Sequence, residues 1–208
     1  MTIPISPPDP DSELARSIIA AEFNYIAQTA FQANEDRARA WQYFFVTFAT
    51  LIAALLSTQV ADGFRQQLYL TFVVIFSLLA VLGLITIVQL VRLRQAWLES
   101  VRAMNQIKER LIADDPSLAD YFRWRNTTVP PAFKWHSFGF LQALSVALLS
   151  GLAFGAAVAF GALARGAAVV PWGWSLPAAV GASALILWLG YITPLKNADQ
   201  VTQKLDYS

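Results

Sequence analysis

LYLTFVVIFSLLAVLGLITIVQLV, residues 68–91, carries no formal charge from end to end. At a rise of about 1.5 Å per residue, it can cross a hydrocarbon core of about 30 Å as a single helix. Three more such runs occupy 40–61, 138–164 and 172–192. None contains Asp, Glu, Lys, Arg or His. A charge at the centre of an inserted helix costs about 2.5–3.5 kcal/mol, which accounts for this segregation. The sequence therefore predicts an all-α, polytopic membrane protein with four transmembrane helices. The first run begins only at Ala40, after a segment that includes six acids, so it does not read as a signal peptide.

Composition agrees. Hydrophobic residues make up 56% of the 208, charged residues 14%, and mean hydropathy is +0.47. Soluble domains carry about 25% charge, so a water-soluble enzyme and a disordered chain are both excluded. A net charge of +1 offers no general argument for nucleic-acid binding. The chain has no cysteine and one histidine, so thiolate chemistry and a His-rich metal site are absent.

The basic residues set the expected topology. Arg16, Arg37 and Arg39 precede the first run, eight Lys/Arg lie between the second and third, and Lys196 and Lys204 follow the fourth. Arg65 and Arg165 alone occupy the other two connections. Thirteen of the fifteen thus share one side, which the positive-inside rule makes cytoplasmic, with both termini there. The expected localisation is the inner (plasma) membrane.

Five segments follow. Residues 1–10 read as a proline-rich, frayed leader in which Asp9 can cap a helix. Residues 11–112 comprise a breaker-free helix entering span 1, then span 2 and a second helical overshoot. In the first helix, Leu14, Ile18, Ala21 and Tyr25 recur at helical spacing, as do Ile19, Phe23, Ile26 and Ala30. In the second, Leu90, Leu93/Arg94, Trp97, Val101, Met104, Lys108 and Leu111 keep a 3–4 spacing and make a coiled-coil-like seam, broken once by Lys108. The two overshoots match in length, so a cytoplasmic antiparallel hairpin is expected. Residues 113–137 form an interfacial connection, with an amphipathic helix over 116–125 capped by Asp115. Its anchors are Tyr121, Phe122, Arg123, Trp124, Arg125, Lys134 and Trp135, aromatics mixed with cations as at headgroup level. Spans 3 and 4 fill 138–194, and 195–208 is a cytoplasmic tail.

No residue set points to catalysis, a metal or a cofactor. The hydroxyls within the spans read as partners of their own or neighbouring helices. Gln89 and Gln142, near the cytoplasmic ends, are expected to be hydrated. A polar collar, Asn34, Glu35, Asp36, Arg37 and Arg39, precedes span 1 and reads as a solvated helical collar at the membrane surface or as intersubunit ion pairing at a pore mouth or hairpin base. The most specific pattern is in span 3: Gly139, Ala143, Ala147, Gly151, Gly155 and Ala159, small residues in unbroken i+4 steps. Such a face lets helices approach closely.

The string EFNYIAQTAFQANEDR, residues 22–37, resembles the opening of a group of small bacterial multi-pass membrane proteins. More loosely, the layout of 11–112 is similar to SLATT-type two-span effector modules, and that resemblance implies an oligomeric pore. The residues themselves favour a non-enzymatic homo-oligomer in the lipid bilayer, acting as a scaffold or binding a cytoplasmic protein partner, without nucleic acid. A pore-forming channel is the alternative, and a small-molecule transporter the third reading.

Overall fold

The structure is a computed structural model and describes residues 10–57 and 65–206, with side chains for 13–57 and 65–200. The leader and its Asp9 cap, the connection at 58–64 and the end of the tail lie outside the described residues. All regular structure among the described residues is helical: α1 (Pro10–Leu56), α2 (Arg65–Asp114), α3 (Phe138–Ala164), α4 (Trp172–Leu187) and α5 (Thr193–Asp206). Four helical stretches are long and apolar enough to cross a membrane: Glu13–Leu56, Arg65–Asp114, Phe138–Ala164 and Trp172–Gln200.

At 47 and 50 residues, α1 and α2 are about 70 and 75 Å long, more than twice a bilayer core. No proline or glycine interrupts α1 after Pro10. The described part of α1 ends at Leu56, short of the expected Ala61, with Ser57 donating its N–H to Ala53 O.

Two compact units emerge, and both long helices contribute to each. One joins 10–34 to 96–130; the other joins 35–95 to 131–206. In the larger unit, α3 is the central helix. One of its sides packs with Leu79, Ala80 and Ala153 under Phe48, Leu51, Ile75 and Phe76 of α1 and α2. Its other side takes α4. α3 starts on Ser137, whose Oγ accepts the Phe140 N–H at 3.2 Å. It stops in a Schellman turn: Gly166 N–H donates to Leu163 O and Ala167 N–H to Ala162 O. Gly166 there has φ 95°, open to glycine without strain.

Between α4 and α5 the helix widens into a π-turn at Trp188–Ile192. Pro194 supplies the cause. It has no N–H for the Gly190 carbonyl, and its ring would crowd that carbonyl in a regular α-helix. Thr193 bonds back five residues instead, through its N–H and its Oγ1 (2.9 Å), to Trp188 O.

The expected amphipathic helix over 116–125 is not an α-helix. Asp115 caps as expected, accepting from Ser117 N–H (3.0 Å) and Oγ (2.7 Å), with Pro116 first in line. The result is a 3-10 helix, Pro116–Asp120, then irregular chain, then a 3-10 turn at Asn126–Thr128. Arg125 is extended (φ −131°) where it reaches Glu109, and Pro130 and Pro131 follow, leaving too few residues for an α-helical nucleus.

Candidate functional site

The small-residue face of α3 lies against α4. A Cβ on Gly151 would meet Ser183 Oγ, with Ala179 O at 2.5 Å. One on Gly155 would stand 2.6 Å from Ala179 Cβ and 2.7 Å from Ser175 O. Ala143, Ala147 and Ala159 are buried on the same stripe. Two further close approaches follow no sequence pattern. A Cβ on Gly83 of α2 would collide with Ser150 Oγ, and one on Gly190 would come within 2.9 Å of Ile87 Cγ2. Gly83 is the lone glycine of its apolar run, whereas Gly190 shares its run with Gly173 and Gly181, at neither of which a Cβ would meet anything within 4 Å.

Gly139, at the start of the stripe, has different neighbours. A Cβ there would be 3.2 Å from the Tyr191 hydroxyl and 3.4 Å from Arg37 Nη1. The collar therefore divides. Arg39 stays outward, 3.4 Å from Glu35 and 3.7 Å from Asp36 along its own helix, in an exposed geometry worth little. Arg37 turns inward to the first turn of α3 and is half-buried. Arg94 of α2 lies within electrostatic reach of Arg37, Tyr191 and Asp199. Its Nε and Nη2 donate to Ala132 O (3.3 Å) and Pro131 O (3.1 Å). Asp199 of α5 clasps the same loop, accepting from Ala132 N–H (2.6 Å) and Phe133 N–H (3.1 Å). Lys196 sits over the Phe133 and Trp188 rings at 5.4 and 5.8 Å. The sequence places Arg94 only at the Leu93/Arg94 position of the seam, and no sequence signal points to Asp199 or Tyr191, because the partners of all three lie far along the chain on other elements.

Trp41 Nε1 donates to Ser145 Oγ (3.0 Å) and ties α1 to α3. Gln142, expected to be hydrated, is 3% exposed, and its Oε1 has no partner among the described residues. α3 is enclosed on several sides at that level, so position within the apolar run is a poor guide to access. Gln89 is exposed. Thr71, Thr86, Ser100, Ser150 and Ser183 each bond the carbonyl four residues back.

In the smaller unit, Ile19, Phe23, Ile107 and Leu111 line an apolar groove of about 330 Å³ between α1 and α2, with Arg16 and Lys108 at its edge. Lys108 lies 5.8 Å from the Phe23 ring centre and donates to Asn105 Oδ1 and Trp124 O, both at 3.3 Å. The seam runs one residue from its expected centre. Leu98 and Asn105 are the deepest side chains, and Trp97 and Met104 flank them. Arg125 grips Glu109 with two bonds, 2.6 and 3.0 Å. That hydrogen-bonded guanidinium holds the Glu109 carboxyl below its ordinary pKa, and the carboxylate raises that of Arg125. Of the other anchors, Tyr121, Arg123, Trp124, Lys134 and Trp135 are exposed, and Phe122 is half-buried. Asn34 is half-buried.

The opposite face of α1 carries Leu14, Ile18 and Tyr25, exposed at 60, 58 and 67%. Among the described residues no group of three or more His, Asp or Glu side chains is placed to hold a metal ion. The chain matches no protein-family model, no curated protein and no solved structure.

Proposed function

We propose that this chain is a non-enzymatic, homo-oligomeric inner-membrane protein. Its four spans anchor a cytoplasmic helical hairpin that assembles subunits and offers a surface to a protein partner. The observation that carries this reading is the outward face of α1. Leu14, Ile18, Ala21, Tyr25, Gln28 and Gln32 follow alternating steps of four and three, and all six are exposed. Their spacing is a heptad seam. They also lie beyond the length of α1 needed to cross the bilayer, so lipid does not cover them.

A second copy of the chain is the fitting occupant. The bilayer holds every copy in one orientation, so identical positions meet in a parallel pair. None of the six is charged, so in-register pairing brings no like charges together. Gln28 and Gln32 can bond across the seam and specify register. The intrahelical bonds of the span hydroxyls support a scaffold over a pore, since they leave fewer polar groups for a conducting path.

Light scattering on the purified chain in detergent tests the assembly. Wild type should exceed the monomer mass, and Ile18→Glu should reduce it. Ile18→Cys should form an intermolecular disulfide, in a chain with no other cysteine. A monomeric wild type, or unchanged mass in both Ile18→Glu and Tyr25→Glu, overturns the reading.

A further inference from the structure

The convergence over the first turn of α3 has an unfilled electrostatic requirement. Arg37 makes no hydrogen bond or ion pair among the described residues, although it is turned inward. Tyr191 is only 4% exposed, and its hydroxyl likewise has no hydrogen-bond partner there. Both groups point to Gly139, which has no side chain to separate them. An unpaired, half-buried cation is costly.

The other charges and donors nearby favour an anion. Ser137 takes the Phe140 N–H, so the N–H groups of Phe138 and Gly139 remain the open donors of a 27-residue helix. The positive end of the helix dipole lies there too. Arg94 adds a second guanidinium within electrostatic reach of the first. The carboxylate in reach, Asp199, is engaged by two backbone N–H groups of the 131–133 loop. Two like charges are thus held near one another, in the unit where Lys196 of α5 also sits over Phe133 of that loop.

We propose that Arg37, Arg94, the Tyr191 hydroxyl and the N-terminus of α3 form a binding site for a phosphate group. Arg37 supplies the open fork, Tyr191 a single neutral donor and α3 its first-turn N–H groups. Arg94 supplies charge, its own donors partly engaged by the loop carbonyls. The π-turn at Trp188–Ile192 is what places Tyr191 there; such turns recur at functional sites. A lipid headgroup at the membrane surface and free inorganic phosphate share this chemistry. The site stands on contacts within one chain and does not depend on assembly.

The test is thermal unfolding of the purified full chain in an uncharged detergent. Sodium phosphate and short-chain phosphatidic acid are titrated separately against sodium chloride at matched ionic strength. A saturable rise in Tm with phosphate alone identifies a free-anion site. A rise with phosphatidic acid only identifies a lipid site. Tyr191→Phe preserves shape and should weaken the response about tenfold, the loss of one hydrogen bond to a charged group. Arg37→Gln should abolish the response while raising the ligand-free Tm, because it removes an uncompensated charge. A merely structural Arg37 would lower it. No saturable shift with either probe, or shifts of equal size in wild type and both variants, overturns the proposal.

Discussion

Gly155 has no room for a side chain, since even a Cβ would press on Ala179 and on the Ser175 carbonyl. Gly155→Ile should therefore lower stability by about 1–3 kcal/mol, the usual cost of overpacking. Because the contact is with α4 of the same chain, oligomer mass should not change. Phe154→Ala, on an exposed position, should perturb less. Thermal unfolding and light scattering in detergent check both points. Gly83→Ala should behave like Gly155→Ile, and a second change, Ser150→Gly, should recover part of the loss, because Ser150 supplies the obstructing atoms. At Glu109, pH gives a signed outcome. Its folded-state pKa is lowered, chiefly by the Arg125 hydrogen bonds. The stability from this pair is therefore fully present above the ordinary glutamate pKa of about 4.3, and is lost as pH falls through the lowered value. The Tm difference between wild type and Glu109→Gln should be constant from neutral pH to about 6 and shrink in acid. A difference that grows in acid would contradict the assignment.

α1 carries two apolar faces, and they do different work. Ile19 and Phe23 line the groove with α2, while Leu14, Ile18 and Tyr25 face outward. Both periodicities are legible in the sequence, since both follow helical spacing. Which of them is covered within the chain depends on where α2 lies, and that is a tertiary fact. Phe23→Ala should lower the unfolding temperature of the single chain. The cost should be about half of the roughly 3–5 kcal/mol typical of a fully buried phenylalanine, because Phe23 is half-buried. Tyr25→Ala should leave that temperature nearly unchanged and weaken self-association. Equal effects on both measurements would mean that the two faces are not separate. The short element at 116–120 shows the opposite limit of sequence reading. Its cap is visible in Asp-Pro-Ser, but its arrest is not, because the competing bond from Arg125 reaches back along the chain to Glu109 on another helix.

For the whole molecule, the basic residues predict sidedness. Cysteines placed singly at Glu13 and Glu99, both exposed, should label from the cytoplasmic side, and one at Asp62 from the opposite side. The chain has no native cysteine to confuse the readout. Labelling at Asp62 from the cytoplasm alone would refute the proposed topology. The same asymmetry predicts that the Arg37, Arg94 and Lys196 neighbourhood lies at the cytoplasmic surface, where anionic headgroups attract basic side chains.

The sequence alone determined the helical class, the four apolar lengths and the small-residue face of span 3. These depend on hydrophobic content and spacing along one helix, which are local quantities. Tertiary structure alone decided that Arg37 turns in while Arg39 stays out, that Gln142 is enclosed, and that Gly83 receives Ser150. It also brought Arg94 and Asp199 to one loop and Tyr191 to Gly139. Contacts between residues far apart in the chain depend on helix rotation and on a π-turn that re-aims one side chain by a fraction of a turn. No periodicity within a single segment encodes that angle.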